Sequence, residues 1–292
     1  MSYNTNNVWI EDVRGFIDST QTGFMRSYIK PTYSILAEGD SWFHIGGNTG
    51  FAKERNIIDG VCFNNHHTIL LNMALSGDTM SNMSNNITSP EFFRMLKTYS
   101  WNGLLLSAGG NDLIDALTSD MNYKFKGKVL SIIQSSTDNS NYLNYINTNH
   151  LDLFCQSLTA NYQRFIDYKN GTTNKESPVF VHVYDYPTPR NAPAKLFRFK
   201  KGPWIYTALK SQSVPPEFWQ QITDHVFNAL AVTLLQFDGT NNFHVINTRN
   251  LLVRANASDN GTSNDWLNEI HPNSDGIEKL CKKINEILQT FY

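Results

Sequence analysis

The 292-residue chain has few cysteines and little charge for its length. Charged residues make up 17% and the formal net charge is −2, so no overall positive field attracts it to nucleic acid or anionic membranes. Its three cysteines, Cys62, Cys155 and Cys281, are far apart. Their spacing does not match a metal site, and their odd number gives no disulfide framework and is typical of a reducing compartment. We therefore expect no nucleic-acid partner and no metal.

Long apolar runs are missing as well. No segment reaches the length that a membrane-spanning helix needs, and Met1 to Asn7 lack the basic and apolar regions of a signal peptide. The sequence predicts no stable membrane insertion and, by default, a cytoplasmic location. The chain is nevertheless 40% hydrophobic and 13% aromatic, which is enough for a sizeable core.

Five short, nearly continuous apolar segments predict buried strands: Ser34–Glu38, Thr68–Leu75, Gly103–Ala108, Val179–Tyr184 and Phe243–Asn247. Such runs are typical of a parallel sheet that is covered on both faces. Helical periodicity follows at residues 151–166, 215–234 and 277–291, the last with Asp275 and Glu278 spaced as a capping box. Alternating strands and helices predict a doubly wound α/β fold. No composition break marks a boundary, so we expect one domain over residues 1–292, of undetermined oligomeric state.

Two long connections interrupt this pattern, at residues 113–150 and 187–212. Loops of this length in a compact domain tend to be functional or mobile. The second contains basic residues among aromatic ones, and two interpretations stay open. It is either a solvated basic loop with aromatics packed beneath it, or a rim that contacts an anionic or sugar-containing substrate.

Polar motifs follow the first three predicted strands. Gly39-Asp40-Ser41-Trp42 ends the first, Gly77 follows the second, and Asn111 follows the third. In an open parallel sheet these positions share one edge, where ligands bind. Ser41 offers a nucleophile, and its N–H, the Gly77 N–H and the Asn111 amide offer donors for an oxyanion. His271, before the last helix, could reach Ser41 as a general base.

These blocks, in this order, resemble the SGNH (GDSL) hydrolases from about residue 35 to the final helix. The resemblance implies a flavodoxin-like three-layer α/β/α sandwich whose five-stranded parallel sheet, with a core from about residue 33 to 292, has strand order 2-1-3-4-5. It implies ester hydrolysis through an acyl-serine, with Ser41 as nucleophile, His271 as base and an oxyanion hole of Ser41, Gly77 and Asn111. No metal or organic cofactor is expected, and the partner is a small-molecule, lipid or acylated-sugar ester.

One position departs from the family pattern. Where the family usually has an aspartate three residues before the histidine, this chain has Asn268. An asparagine oxygen can accept the Nδ1–H bond and fix the imidazole tautomer, but it brings no charge. We expect Asn268 to orient His271, with Asp265, then Glu269 or a backbone carbonyl, as the alternatives.

Neighbouring polar residues have simpler interpretations. Asp40 and Asp112 are expected to tie loops together, His44 to be structural, and the adjacent His66 and His67 to lie at the surface. Three further functions stay open: an acyltransferase or a carbohydrate O-acetylesterase on the same scaffold, and a catalytically silent binding module.

Overall fold

The computed structural model describes residues 3–5, 8–11, 31–45, 54–64, 66–117, 124–125, 128–196 and 199–292. Its strands, in chain order, are β1 (Tyr3–Thr5), β2 (Val8–Glu11), β3 (Tyr33–Gly39), β4 (Thr68–Asn72), β5 (Gly103–Ser107), β6 (Lys124–Phe125), β7 (Lys128–Val129), β8 (Val179–His182), β9 (Ala194–Leu196), β10 (Phe199–Lys201) and β11 (Phe243–Ile246). Its helices are α1 (Ser41–His44), α2 (Ile57–Gly60), α3 (Met80–Met83), α4 (Pro90–Thr98), α5 (Gly110–Ala116), α6 (Thr148–Asn170), α7 (Ile205–Ser211), α8 (Trp219–Leu235) and α9 (Ser274–Leu288).

The central sheet has the order β1-β2-β4-β3-β5-β8-β11. Six of its strands, β2 to β11 in that order, pair in parallel, and β1 is an antiparallel edge. The five strands predicted from the sequence are β3, β4, β5, β8 and β11, and they lie in the predicted order 2-1-3-4-5. The α/β fold class with its parallel sheet is therefore confirmed.

The predicted strand count and the predicted start of the core were wrong. Two additional strands, β1 and β2, lie before residue 33, and β2 extends the parallel sheet beside β4. The apolar run Val8–Ile10 is only three residues long, too short to distinguish from a loop by periodicity. It is nevertheless core, because Val8 is fully buried.

Helices cover both faces of the sheet. On one face α6 contacts α3, α5 and α8, and on the other α9 contacts α2 and β11. The boundaries differ from the sequence expectation in detail: Pro216–Phe218 forms a 3-10 turn before α8, and Asn273 rather than Asp275 caps α9 by accepting the Gly276 N–H. No helix in the described ranges is both long and apolar enough to cross a membrane.

The two long connections contain structure of their own. The first holds the end of α5, the small β6–β7 hairpin and a 3-10 turn at Tyr142–Tyr145; residues 118–123 and 126–127 lie outside the described part. The second holds the β9–β10 hairpin and α7, with residues 197–198 outside it. The second connection therefore contains regular secondary structure and is not simply a loop in solvent.

Candidate active site

The carboxyl ends of the central strands bring the predicted site residues to one edge. Ser41 is the first residue of α1, directly after β3, and Asp40 caps that helix by accepting the Trp42 N–H at 2.9 Å. The first N–H groups of a helix have no partner within it, so the Ser41 N–H is available to a ligand. His271 lies in the turn before α9, closed by the Asn273 N–H donating to the Asp265 carbonyl.

Ser41, His271 and Asn268 form a continuous hydrogen-bonded chain. The distance from His271 Nε2 to Ser41 Oγ is 2.8 Å, and that from His271 Nδ1 to Asn268 Oδ1 is 2.9 Å. Asn268 Oδ1 also accepts the backbone N–H groups of Ile270 and His271, which fixes the oxygen rather than the NH₂ toward the imidazole. Nδ1 therefore carries the proton, and Nε2 is left to accept the Ser41 proton.

The environment of His271 favours the neutral imidazole. Burial and, to a smaller extent, the positive charge of Lys201 together lower the pKa of His271 to about 4. The Trp204 ring packs edge-on against the imidazole, with centroids 5.8 Å apart, and helps to enclose it. Asn268 adds no negative charge that would favour imidazolium. At neutral pH the histidine is thus in the form that accepts a proton.

The two carboxylates considered as alternatives are engaged elsewhere. Asp265 accepts the Val253 N–H and pairs with Lys279 Nζ at 2.5 Å. The Glu269 carboxylate accepts the backbone N–H groups of a neighbouring segment: Arg190, Trp204, Ile205 and Tyr206. Of the residues weighed, Asn268 is the one that the structure places on His271 Nδ1.

Glu269 is a buried anchor that sequence patterns did not reveal. Burial raises the pKa of its carboxyl to about 7, although the N–H donors act in the opposite direction. Nearby, the buried Arg190 donates to the Asn268 carbonyl at 2.7 Å. Both residues hold the 190–206 segment against the turn that carries His271. The only feature of the sequence that pointed to Glu269 was its position two residues before His271.

A Glu269→Gln variant is expected to lower the free energy of unfolding by about 2–4 kcal/mol, because a buried NH₂ then faces backbone N–H donors. Urea unfolding at about pH 8 measures it. Glu278→Gln, at an exposed position on α9, is the matched control and should change stability by less than about 0.5 kcal/mol. Equal stability of the two variants would contradict the anchoring role.

Of the predicted oxyanion donors, Asn111 lines the same cavity as Ser41, and Gly77 lies in the turn after β4. The Asn111 Nδ2 group donates one hydrogen to the Asp78 carbonyl at 2.9 Å, which orients the amide and leaves its second N–H free for a ligand. Gly77 has a φ of +89°, a conformation that favours glycine. The Leu75 N–H donates to the Gly39 carbonyl at 2.9 Å, and this bond holds the Gly77 turn against the end of β3.

A second serine and histidine lie beneath the site. Ser107 Oγ donates to Asp40 Oδ1 at 2.9 Å and contacts His182 Nε2 at 2.8 Å, while the Tyr184 hydroxyl donates to Asp40 Oδ2. Ser107 is completely buried, so no substrate reaches it. Burial raises the pKa of Asp40 to about 6 and lowers that of His182 to about 4. This buried cluster fixes Asp40, the residue that precedes Ser41 and caps α1.

The other polar residues have the structural roles that the sequence predicted. Asp112 accepts the N–H groups of Met80 and Ser81 at the start of α3, His44 Nδ1 contacts Ser76 Oγ at 2.8 Å, and His66 and His67 are exposed. Across the described ranges no group of three histidine, cysteine or acidic side chains is placed to hold a metal ion.

A small cavity opens beside Ser41. It has a volume of about 20 Å³. Polar residues (Asp40, Ser41, Asn111, Tyr184 and Asp185), Gly110 and apolar residues (Trp42, Ile114, Pro187, Phe227, Trp266 and Ile270) line it. The apolar lining residues come from α1, α5, α8, the segment after β8 and the His271 turn, and the sequence alone did not predict the packing that brings them together. Of the apolar lining residues, Trp42 and Ile270 are adjacent to Ser41 and His271, whereas Pro187, Phe227 and Trp266 belong to no motif seen in the sequence.

Comparison with known proteins concerns the fold. No protein-family model matches the chain, and no curated protein matches it in sequence. A lipase from a goat rumen metagenome matches in structure over 87% of this chain and 97% of its own, at 16% identity and a TM-score of 0.52.

Two other structures are similar at lower TM-scores. A protein described as a GDSL-like lipase from Parabacteroides merdae ATCC 43184 has 13% identity over 90% of this chain and 98% of its own, with a TM-score of 0.46. An acetylxylan esterase from Geobacillus stearothermophilus has 10% identity over 89% and 95%, also at 0.46. At these identities the match to the rumen lipase shows that the two proteins share a fold.

Proposed function

We propose that this protein is a serine hydrolase that cleaves a carboxylic ester through a covalent acyl-serine on Ser41. The observation that carries the proposal is the chain from Asn268 Oδ1 through His271 to Ser41 Oγ, with distances of 2.9 and 2.8 Å. A nucleophile, a base and a group that orients the base are thereby in hydrogen-bond contact, as acyl transfer requires.

The first half of the reaction acylates Ser41. Its Oγ attacks the ester carbonyl carbon while its proton passes to His271 Nε2. The carbonyl oxygen becomes an oxyanion, stabilised by the N–H groups of Ser41 and Gly77 and by the Asn111 amide. When the intermediate collapses, the C–O bond to the alcohol breaks, and the alcohol leaves with the proton from His271.

The second half releases the acid. Water gives a proton to His271 Nε2, and its oxygen adds to the acyl carbonyl carbon. Collapse of this second intermediate breaks the bond to Ser41 Oγ, which recovers the proton from His271. Asn268 accepts the Nδ1–H bond throughout and keeps the imidazole in its reactive tautomer.

The cavity beside Ser41 favours a short acyl group. Its volume of about 20 Å³ exceeds the roughly 10–15 Å³ that one water molecule requires, and a methyl group is of similar size. The apolar side chains in its lining, such as Trp42, Ile114 and Phe227, suit the alkyl part of an acetyl group. We therefore propose an acetyl or similarly short ester as substrate, and an O-acetylesterase is the narrower form of the same proposal.

A panel of p-nitrophenyl esters from acetate to octanoate tests the function with purified protein. The expected order of kcat/KM is acetate above butyrate above octanoate. Absence of turnover with every ester would refute the hydrolase and favour a silent binding module. Adding a primary alcohol and identifying the products separates hydrolysis from acyl transfer.

Enlarging the cavity should relax the preference for short chains. Ile114→Ala is expected to raise the ratio of hexanoate to acetate turnover by about ten-fold or more, since one methylene in an apolar pocket is worth about 10–200-fold. Ile284→Ala, at a buried position on α9 away from the cavity, is the matched control. If both variants show the wild-type ratio, the cavity does not hold the acyl chain.

A further inference from the structure

The β9–β10 hairpin is fastened at its base to the turn that carries His271. The Glu269 N–H donates to the Ala192 carbonyl at 2.9 Å, before β9, and the Glu269 carboxylate accepts the N–H of Trp204, after β10. One buried residue, two positions before His271, thus holds both ends of the hairpin. Residues at the base of the β9–β10 hairpin are therefore held in a fixed position relative to His271.

Lys201 is the last residue of β10, at this fastened base, where it pairs with Ala194. Gly202 follows with a φ of +80°, and a Cβ there would lie 2.5 Å from the Trp204 indole. Glycine therefore lets the chain turn back tightly, so that Trp204 packs on His271 while Lys201 stays beside the site.

The Lys201 ammonium faces the catalytic groups. Its Nζ lies 3.6 Å from the position that a Cβ on Gly77 would occupy, and its charge acts on both His271 and Asp115. Lys201 is exposed, and within the part of the chain that the structure describes it forms no ion pair with any carboxylate. The positive charge of Lys201 is therefore available to a ligand near Gly77 and His271.

The location of Lys201 distinguishes the two halves of an ester. His271 gives its proton to the departing alcohol, so the alcohol lies on the His271 side of the carbonyl carbon. The acyl group has its own small, apolar cavity, to which Lys201 does not contribute. A cation near His271 and Gly77 therefore faces the alcohol part of the substrate.

We propose that the substrate is a short-chain ester of an alcohol that carries an anionic group, a carboxylate or a phosphate, and that Lys201 binds this group. This inference rests on the proposed function and adds the chemistry of its alcohol. Asp115 lies four residues after Asn111 on α5, and its carboxylate interacts with the Lys201 charge. This negative charge would repel an anionic substrate group on its side of Lys201. The anion is accordingly expected on the Gly77 side of Lys201.

Matched acetates measure this preference through phenol release at about pH 8. The probes are 3-acetoxybenzoate, 3-acetoxyphenyl phosphate and the neutral 3-acetoxybenzamide. In Lys201→Met the ratio of kcat/KM for the anionic acetates to that for the amide should fall by about ten-fold, and in Lys201→Glu further still. Asp115→Asn should raise the ratio. Whichever anion gives the larger wild-type ratio is the group that the site prefers.

Lys200→Met is the matched control, because neighbouring side chains of a strand point to opposite faces. Its ratio should equal that of the wild type. A ratio that is the same in wild type, Lys201→Met and Lys201→Glu overturns the inference while leaving the hydrolase intact. If the wild type hydrolyses none of the three acetates, nor any p-nitrophenyl ester, the proposed function fails and the inference fails with it.

Discussion

Ser41→Ala is expected to abolish labelling by a fluorophosphonate probe and to lower kcat for p-nitrophenyl acetate by about 10⁴–10⁶-fold, in the range seen when a catalytic serine is removed elsewhere. The hydroxyl that attacks the carbonyl is lost, and the nearby Ser107 is completely buried. Residual hydrolysis would come from the oxyanion donors and from substrate binding.

Ser107→Ala provides a demanding control, because Ser107 also contacts a histidine and an aspartate. Its burial predicts that the variant keeps fluorophosphonate labelling and loses stability instead. Intact-mass analysis of the labelled proteins identifies the modified serine. The reverse pattern, with labelling lost only in Ser107→Ala, would move the nucleophile to the buried cluster and refute the proposed site.

The sequence predicted those parts of the site that depend on topology. Parallel strands end on one edge, so residues after β3, β4 and β5 had to meet there whatever their separation along the chain. The tight turn before α9 added His271, and three-residue spacing placed Asn268 beside it. These local and topological constraints are readable without knowledge of side-chain packing.

What the sequence could not predict depends on contacts between distant segments. The cavity beside Ser41 combines Ile114, Phe227 and Trp266, which are brought together only by the packing of helices and loops. The position of Lys201 depends on Glu269, whose N–H and carboxylate hold the base of a hairpin. The partners of Glu269 are backbone groups of distant residues, and the residue types at those positions do not reveal them. Short β2 was missed because a three-residue apolar run carries too little periodicity.

Asn268 should be replaceable by aspartate but not by leucine. Asn268→Asp retains an oxygen that accepts the Nδ1–H bond and adds a negative charge, which favours imidazolium and raises the pKa of His271. A stronger base should preserve kcat/KM at about pH 8 or raise it by up to about ten-fold. Asn268→Leu removes the acceptor from Nδ1 and from two backbone N–H groups, and turnover should fall by about 10³–10⁴-fold.

The pH dependence separates orientation of the histidine from its charge. The reaction needs neutral His271, so activity should fall as the pH drops through the pKa of this group. In the wild type that pKa is about 4, and the acid limb of kcat/KM should lie well below the ordinary histidine range. In Asn268→Asp the acid limb of the kcat/KM profile should move to higher pH. Asn268→Leu should instead lower the maximal kcat/KM that is reached above this limb.

Stopped assays with p-nitrophenyl acetate from about pH 3.5 to 9 give these profiles, and thermal unfolding at each pH excludes loss of the fold. A wild-type limb near the ordinary histidine pKa would contradict the buried, neutral imidazole. A folded Asn268→Asp protein without activity would show that the site requires the asparagine amide itself. Full activity in Asn268→Leu would remove Asn268 from the mechanism. The expected pattern instead defines a serine hydrolase whose histidine is oriented by a neutral oxygen and is kept unprotonated by burial and, to a smaller extent, by the positive charge of Lys201.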